Sequence, residues 1–311
     1  MKRPAIGLVL AGLAAFCAAS AVILGGRIAG QPAMRPLGGP ETVTLTAAGA
    51  SYFSPVRLTE ITGAAIVVTN TITAGGGASY PAIAIWDVRE SVYDATNHQR
   101  LEPSSRTVVF DRGSAELVNC CGGNIDGDGL TWQDGIAGYA FPVGTRKQTY
   151  SVFDPVLDKP EPFAYSGMDT VDGIPAYRFT ESISAAKAGY SALSSADPRV
   201  YSVRRVYWVD PETGMLLKVS ENEDLALVSP ATGAVVTRLF RADLHTTPAT
   251  VERLTGQDAR ERDEIARMTD ARLALSVTAC GLVPLAGFLL ARGPGRGRTR
   301  RRPPSPSPDD Q

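Results

Sequence analysis

The stretch VRRVYWVDPETGMLLKV, residues 203–219, predicts two strands joined by a tight turn. The residues on either side of the turn alternate in the way that half-buried strands do. Pro211 presets φ at the start of the turn and Gly214 supplies a positive φ at its end, so the two arms are expected to pair as a hairpin. The stretch SPATG, residues 229–233, repeats this turn chemistry between two further apolar runs. Successive hairpins of this kind predict an antiparallel sheet.

The same pattern extends over much of the chain. Stretches that alternate as strands do lie at residues 84–93, 106–110 and 176–180, and turn residues separate them. We therefore predict a mainly β, α+β protein in which residues 27–246 form an antiparallel β-sheet domain. Residues 182–195, with an Ala-Ala-Lys-Ala core, predict a short helix that lies over the sheet.

Both ends of the chain predict transmembrane helices. Residues 5–26 and 273–291 carry no charged side chain, and helical runs of this length approach a hydrocarbon thickness of about 30 Å. Basic residues precede the first run and follow the second, so both termini are expected in the cytoplasm and the middle of the chain outside it. Thr247 and Pro248 begin a predicted helix that leads into the second run.

Five segments follow from these patterns, and they place the protein in the plasma membrane with two spans. They are a transmembrane anchor (1–26), an extracytoplasmic β-rich domain (27–246), a helical stalk (247–272), a transmembrane helix (273–291) and a disordered, basic and Pro-rich cytoplasmic tail (292–311). A cleaved signal peptide is the alternative at the N-terminus, because Ala19-Ser20-Ala21 fits the A-x-A pattern.

The charge of the chain excludes one class of partner. The net charge is −1, and acidic residues outnumber basic ones once the two predicted membrane ends are set aside. We therefore expect no nucleic-acid partner. The glycine motifs of nucleotide-binding loops are not present in the sequence, so no nucleotide cofactor is expected.

The order of six motifs along the chain resembles one known family. The motifs are FDRG (110–113), VNC (118–120), GYAFPVGT (138–145), YSVFD (150–154), VDGIPAYRF (171–179) and YWVDPETG (207–214). They resemble the actinobacterial domain-of-unknown-function family that is labelled "porin PorA". The resemblance implies a cell-envelope membrane protein with one outer domain, associated with the maturation or transport of envelope lipids and lipoglycans and with envelope biosynthesis proteins. It carries over no catalytic residue.

Three functional hypotheses are consistent with these observations. The first is a non-enzymatic protein that binds an envelope lipid or lipoglycan, or presents it to a partner. Aromatic residues are frequent in the β segment; core packing accounts for them, and enclosing a lipid tail or stacking on sugar rings is the alternative. The second hypothesis is a porin-like channel formed by a homo-oligomer. The third is an enzyme acting on envelope glycans, whose mark would be clustered carboxylates with perturbed pKa values in one cleft.

The adjacent cysteines Cys120 and Cys121 are the cysteines of the predicted outer domain. They pair with each other, pair with another chain, or stay free. A vicinal disulfide or paired thiols in a tight turn is favoured over a redox site, because redox sites normally have a spaced C-x-x-C.

The residues that follow the cysteines match part of a calcium loop. Asp126 and Asp128 fit the first half of the pattern, and Asp134 is the third candidate ligand. The twelfth position, which should be a bidentate Glu, is Gly135. A glycine-rich turn with solvated carboxylates is therefore the favoured interpretation, and calcium bound by the three aspartates is the alternative.

Overall fold

The computed structural model describes residues 12–13, 15–16, 18–20, 41–75, 82–101, 103–129, 132–191 and 193–291. The chain divides into two compact units. One is Arg27–Ala266, which holds the sheet and the candidate site. The other joins Met1–Gly26 to Arg267–Gln311.

Twelve strands of the described residues form one antiparallel sheet. They are β1 (Glu41–Ser54), β2 (Thr59–Ala74), β3 (Ile83–Asp94), β4 (Gln99–Arg100), β5 (Ser104–Asp111), β6 (Asn124–Ile125), β7 (Tyr150–Asp154), β8 (Lys159–Val171), β9 (Ile174–Ser191), β10 (Ser194–Val209), β11 (Leu216–Val228) and β12 (Val235–Thr246). Their order is β6-β5-β3-β2-β1-β12-β11-β10-β9-β8-β7, with β4 beside β3. The mainly β, antiparallel class that the sequence predicts is confirmed.

The predicted hairpin of residues 203–219 joins β10 to β11. Gly214 adopts a φ of 70°, and its N–H donates to the carbonyl of Asp210 at 2.9 Å. The N–H of Asp210 in turn donates to the carbonyl of Met215 at 2.9 Å, which closes the turn. The chain beyond this hairpin pairs β12 with β1, so the first and last strands meet in the middle of the sheet.

Aspartates end several strands and shape the turns that follow. The carboxylates of Asp94, Asp111 and Asp154 each accept a hydrogen bond from the backbone N–H two residues further on, at 2.8, 2.9 and 2.8 Å. Such side-chain caps replace a backbone hydrogen bond that the ending strand can no longer make. Short sequence patterns of this type therefore set where β3, β5 and β7 stop.

The sheet curls, because its two distant flanks pack against each other. Trp86 on β3 and Phe110 on β5 share one buried cluster with Phe163 on β8 and Phe179 on β9. The loop between β6 and β7 fills the space between the flanks, and the Phe141 ring lies 5.1 Å from that of Phe179. Burial of each such ring stabilises the fold by about 1.5–3 kcal/mol, so the curl rests on aromatic packing.

A long helix, α1 (Pro248–Ala291), follows β12. The hydroxyl of Thr247 accepts a hydrogen bond from the backbone N–H three residues on, at 3.3 Å, as an N-cap does. Val251 and Leu254 are buried against Met215 and Leu217. The first turns of α1 therefore cover the end of the sheet where β10 turns into β11.

An ion cluster fixes α1 to that turn. Arg262 pairs with the carboxylates of both Asp210 and Asp258, and the hydroxyl of Thr213 donates to Asp258 at 2.5 Å. Burial, together with a hydrogen bond to Asp210, raises the pKa of Asp258 to about 8. The two aspartates thus share a proton at neutral pH while Arg262 balances the remaining charge.

Two predictions made from local sequence are wrong. The predicted two-span location in the plasma membrane is contradicted, because no helix within the described ranges is both long and apolar enough to cross a bilayer. The second predicted span, residues 273–291, is the end of α1, which is continuous with a charged first half. The first, residues 1–26, falls mostly outside the described residues, and the predicted tail, residues 292–311, falls entirely outside them.

The short helix predicted at residues 182–195 is also wrong. Residues 182–191 belong to β9 and residues 194–195 to the start of β10, and these two strands pair with each other over most of their length. Ala185 adopts a φ of 50°, which an α-helix does not allow. Pairing with β10 therefore outweighs the weak helical preference of the alanine-rich core.

Candidate functional site

The concave face of the curled sheet encloses a cavity of about 1150 Å³. Its walls come from both flanks of the sheet and from the loop between β6 and β7. Apolar side chains form much of the wall, among them Leu45, Val68, Val88, Val152, Phe163 and Val219. Ligand sites in proteins are concave, mostly apolar and carry a few placed polar groups. The cavity is therefore the candidate functional site.

A row of charged side chains crosses the wall of this cavity. Strand register places Arg205 on β10 opposite Glu181 on β9 and Glu221 on β11. The guanidinium of Arg205 donates to Glu181 and to Asp154 at 2.7 and 2.6 Å through Nη1, and to Glu221 at 2.7 Å through Nε. Burial alone would lower the pKa of Arg205, but the carboxylates, Glu221 foremost, raise it well above its ordinary value. The guanidinium of Arg205 therefore stays charged and forms ion pairs with three carboxylates.

Further carboxylates of the cavity have raised pKa values. Burial, assisted by the charge of Glu221, raises the pKa of Glu223 to about 8. Burial also raises the pKa of Glu181 to about 7, although Arg205 opposes the shift. The pKa of Glu90 on β3 is raised by burial and then by Glu221 on β11, so charges on the two walls act on each other across the cavity. Some of these carboxyl side chains are therefore protonated near neutral pH.

The titration of Glu223 leads to a prediction about stability and pH. A carboxyl whose pKa is higher in the folded protein stabilises it while protonated, and this contribution is lost as the pH rises from about 4.5 to about 8. Glu223→Gln keeps the uncharged form at every pH. At pH 8.5 we expect the variant to be more stable than the wild type by about 1–3 kcal/mol, and at pH 4.5 to be equal to it.

Urea unfolding at both pH values measures the difference. The matched control is Glu116→Gln on an exposed loop, which should leave the stability unchanged at both. A Glu223→Gln variant that gains no stability at pH 8.5 would show that Glu223 is not held protonated by the cavity.

Arg106 provides a second basic group, on the opposite flank. Its Nε donates to Gln133 at 2.8 Å, and its guanidinium lies 4.8 Å from the centre of the Phe153 ring. Burial lowers the pKa of Arg106, and the nearby hydroxyl of Tyr139 partly offsets this. Both Arg106 and Tyr139 line the cavity.

The adjacent cysteines lie outside the cavity lining. Cys120 and Cys121 are joined by a disulfide in the turn before β6. Cys121 and Gly122 both have a positive φ, 58° and 90°, which the tight turn requires.

The three aspartates of the candidate calcium loop are not brought together. Asp126 accepts a hydrogen bond from the N–H of Ser105 at 2.6 Å, and Asp134 accepts one from the N–H of Gly135 at 2.8 Å. Over the described ranges, no group of three or more His, Cys, Asp and Glu side chains is arranged to hold a metal ion. Asp126 alone of these candidates lines the cavity, and Asp128 pairs with Ile125 through its backbone.

Sequence reasoning missed the charged row of the cavity. A signal was present, because Arg205, Glu221 and Glu223 share the cavity side of their strands with apolar side chains such as Tyr207, Val219 and Leu225. A charged side chain at such a position is costly unless it is paired or functional. Its partners could not be identified from local sequence, since Asp154 and Glu181 lie on other strands.

Comparison with known proteins now adds to this geometry. No curated protein matches the chain. A family model described as porin PorA matches residues 6–290, which is nearly the whole sequence, so the chain belongs to the porin PorA family.

Proposed function

We propose that this protein binds an envelope lipid or lipoglycan in the cavity of its curled sheet, without catalysing a reaction. The observation that carries the proposal is the combination of apolar walls and a charged row in one cavity of about 1150 Å³. An amphiphile has the same division, because its tail requires apolar surface and its head requires polar partners. A non-enzymatic accessory role in envelope lipid or lipoglycan transport or maturation follows from such binding.

Exposed apolar side chains at one edge of the sheet support this proposal. The antiparallel register places the β1–β2 turn and the β9–β10 turn at the same edge. Val56 and Leu58 in the first turn are 82% and 75% exposed, and Leu193 in the second is 48% exposed. Val56 and Leu193 also line the cavity. Apolar surface therefore continues from the outside into the cavity, which suits the entry of a lipid tail.

Blocking the cavity tests the proposal. Val68 points into the cavity from β2, and its neighbour Val67 points to the other face. We expect Val68→Trp to fill the space that the tail occupies and to weaken the binding of a fluorescent acyl-chain probe at least tenfold, or about 1.4 kcal/mol. The matched control Val67→Trp should bind the probe as the wild type does. Probe titration of the full chain, with thermal unfolding to verify the fold, is the measurement.

Two results would contradict the proposal. One is a wild-type chain that does not bind the probe. The other is equal binding by Val68→Trp and Val67→Trp, which would place the probe outside the cavity.

The family description favours a second candidate, an oligomeric porin-like channel. Stepwise conductance from the purified chain in planar bilayers would support it. Conductance that is the same in wild type and Val68→Trp, together with no binding of the acyl-chain probe, would favour the channel over the lipid-binding function.

The carboxylates of the cavity also match the mark of an enzyme acting on glycans. A glycoside hydrolase uses a protonated carboxyl beside an ionised one. Glu181 and Glu221 are both engaged by Arg205, however, and this ion pairing accounts for their place in the sheet. We therefore favour binding over catalysis. The enzyme would be favoured if the wild type, but not Glu223→Gln, released reducing sugar from an envelope glycan.

A further inference from the structure

Unsatisfied polar atoms gather in the cavity. In the described part of the chain, four buried side-chain atoms have no hydrogen-bond partner: Asn70 Oδ1, Arg106 Nη2, Glu181 Oε1 and Arg199 Nε. All four residues line the same cavity. Buried polar atoms in folded proteins are nearly always paired, so a group of exceptions at one place indicates a partner that comes from outside the chain.

The unsatisfied atoms have both hydrogen-bonding roles. Asn70 Oδ1 and Glu181 Oε1 accept, whereas Arg106 Nη2 and Arg199 Nε donate. They lie on β2, β9, β5 and β10, so acceptors and donors occur on both flanks of the curled sheet. A hydroxyl group donates one hydrogen bond and accepts two. Hydroxyl groups on one ligand can therefore partner both the acceptors and the donors.

The hydrogen-bonding roles of these atoms select among polar ligands. The lining carries charges of both signs and no clear anionic surplus, because the pKa values of Glu181 and Glu223 are raised to about 7 and about 8. An anionic head group could accept from Arg106 and Arg199 but would leave Asn70 and Glu181 without a donor. A simple cation could satisfy the acceptors but would leave Arg106 and Arg199 without an acceptor. An uncharged head group rich in hydroxyls meets both conditions.

We infer that Asn70, Arg106 and Glu181 form a head-group site for an uncharged polyhydroxylated group, such as a sugar ring, at the polar end of the bound amphiphile. This inference rests on the proposed function, because it names the head group of the ligand whose tail fills the apolar part of the cavity.

Competition between amphiphiles of equal chain length tests the site. The full chain is loaded with the fluorescent acyl-chain probe, which is then displaced by octyl glucoside, octyl sulfate or octyltrimethylammonium below their micelle concentrations. The three compounds share a tail and differ only in the head group. We expect octyl glucoside to displace the probe at a concentration at least tenfold lower than either charged compound.

Two pairs of variants place the preference at the named residues. Asn70→Leu and Arg106→Met should each reduce the preference for octyl glucoside about tenfold. The matched controls are Asn222→Leu on β11 and Arg204→Met on β10, both exposed, and neither should change the preference. Using two independent variants protects the test against a failure of one to fold.

The outcomes separate the two claims. Tight binding of the probe with equal displacement by the three compounds, or with a preference that both cavity variants retain, would overturn the head-group site and leave the proposed function standing. Absence of probe binding in the wild type would overturn both.

Discussion

Replacing Arg205 with methionine is expected to lower the free energy of unfolding by about 3–5 kcal/mol, because it leaves buried carboxylates without their cation. Asp154 and Glu181 are each only 1% exposed, and Arg205 itself is 11% exposed. The three carboxylates would then repel one another inside the protein. The expected loss is larger than for a surface ion pair, which contributes about 0–1 kcal/mol.

Urea unfolding of the full chain at pH 8 measures this loss. Arg204→Met is the matched control, since Arg204 is the neighbouring residue on β10 and is exposed on the other face; its expected effect is below about 0.5 kcal/mol. The deficit of Arg205→Met should shrink at pH 5, where the raised pKa of Glu181 and of Glu223 allows these groups to take up protons. Equal stabilities of the two variants at pH 8 would show that Arg205 does not organise the cavity.

Gly214→Ala is expected to destabilise the protein by about 2–4 kcal/mol. Gly214 has a φ of 70°, and a Cβ atom there would lie 2.3 Å from the carbonyl oxygen of Phe141 and 2.5 Å from that of Pro142. These atoms belong to the backbone of the loop between β6 and β7, which packs inside the curled sheet. The N–H of Phe141 also donates a hydrogen bond to the carbonyl of Gly214 at 3.0 Å. The left-handed conformation and the steric clash should each cost about 1–2 kcal/mol.

Gly233→Ala separates these two costs. Gly233 ends the related turn between β11 and β12 with a φ of 71°, and a Cβ atom there would meet nothing within 4 Å. The variant should therefore lose only the conformational part, about 1 kcal/mol. Equal losses at the two glycines, measured by chemical unfolding, would mean that the contact with the Phe141 loop contributes nothing.

The sequence predicts the local parts of this fold and not the distant ones. The hairpin around Pro211 and Gly214 is correct, because its turn chemistry and both of its strands lie within a few residues of each other. The pairing of β1 with β12 joins opposite ends of the domain, and no local pattern encodes it. The prediction of a short helix at residues 182–195 is wrong for a related reason. Pairing with β10, a strand that follows it in the chain, decides the conformation of this segment.

The sequence predicts some residue types of the candidate site but not how they are arranged. Aromatic residues such as Phe163 were expected to pack in the core or to enclose a ligand, and Phe163 packs in the core and lines the cavity. The charged row follows from the register of β9, β10 and β11, which brings Arg205 beside Glu181 and Glu221. The cavity itself arises from the curl, which depends on contacts between the flanks of the sheet. Apolar runs at the chain ends were interpreted as spans from composition alone, and the described part of the helix does not support that interpretation.

Native mass spectrometry of the full-length protein, released in mild detergent from its own cells, tests the central claim most directly. We predict one lipid or lipoglycan per wild-type chain, identified by fragmentation as an acyl tail with an uncharged hydroxyl-rich head. The ligand should be retained by Val67→Trp and lost from Val68→Trp. An empty wild-type chain, or the same occupancy in Val68→Trp and Val67→Trp, would contradict a ligand bound within the curled sheet.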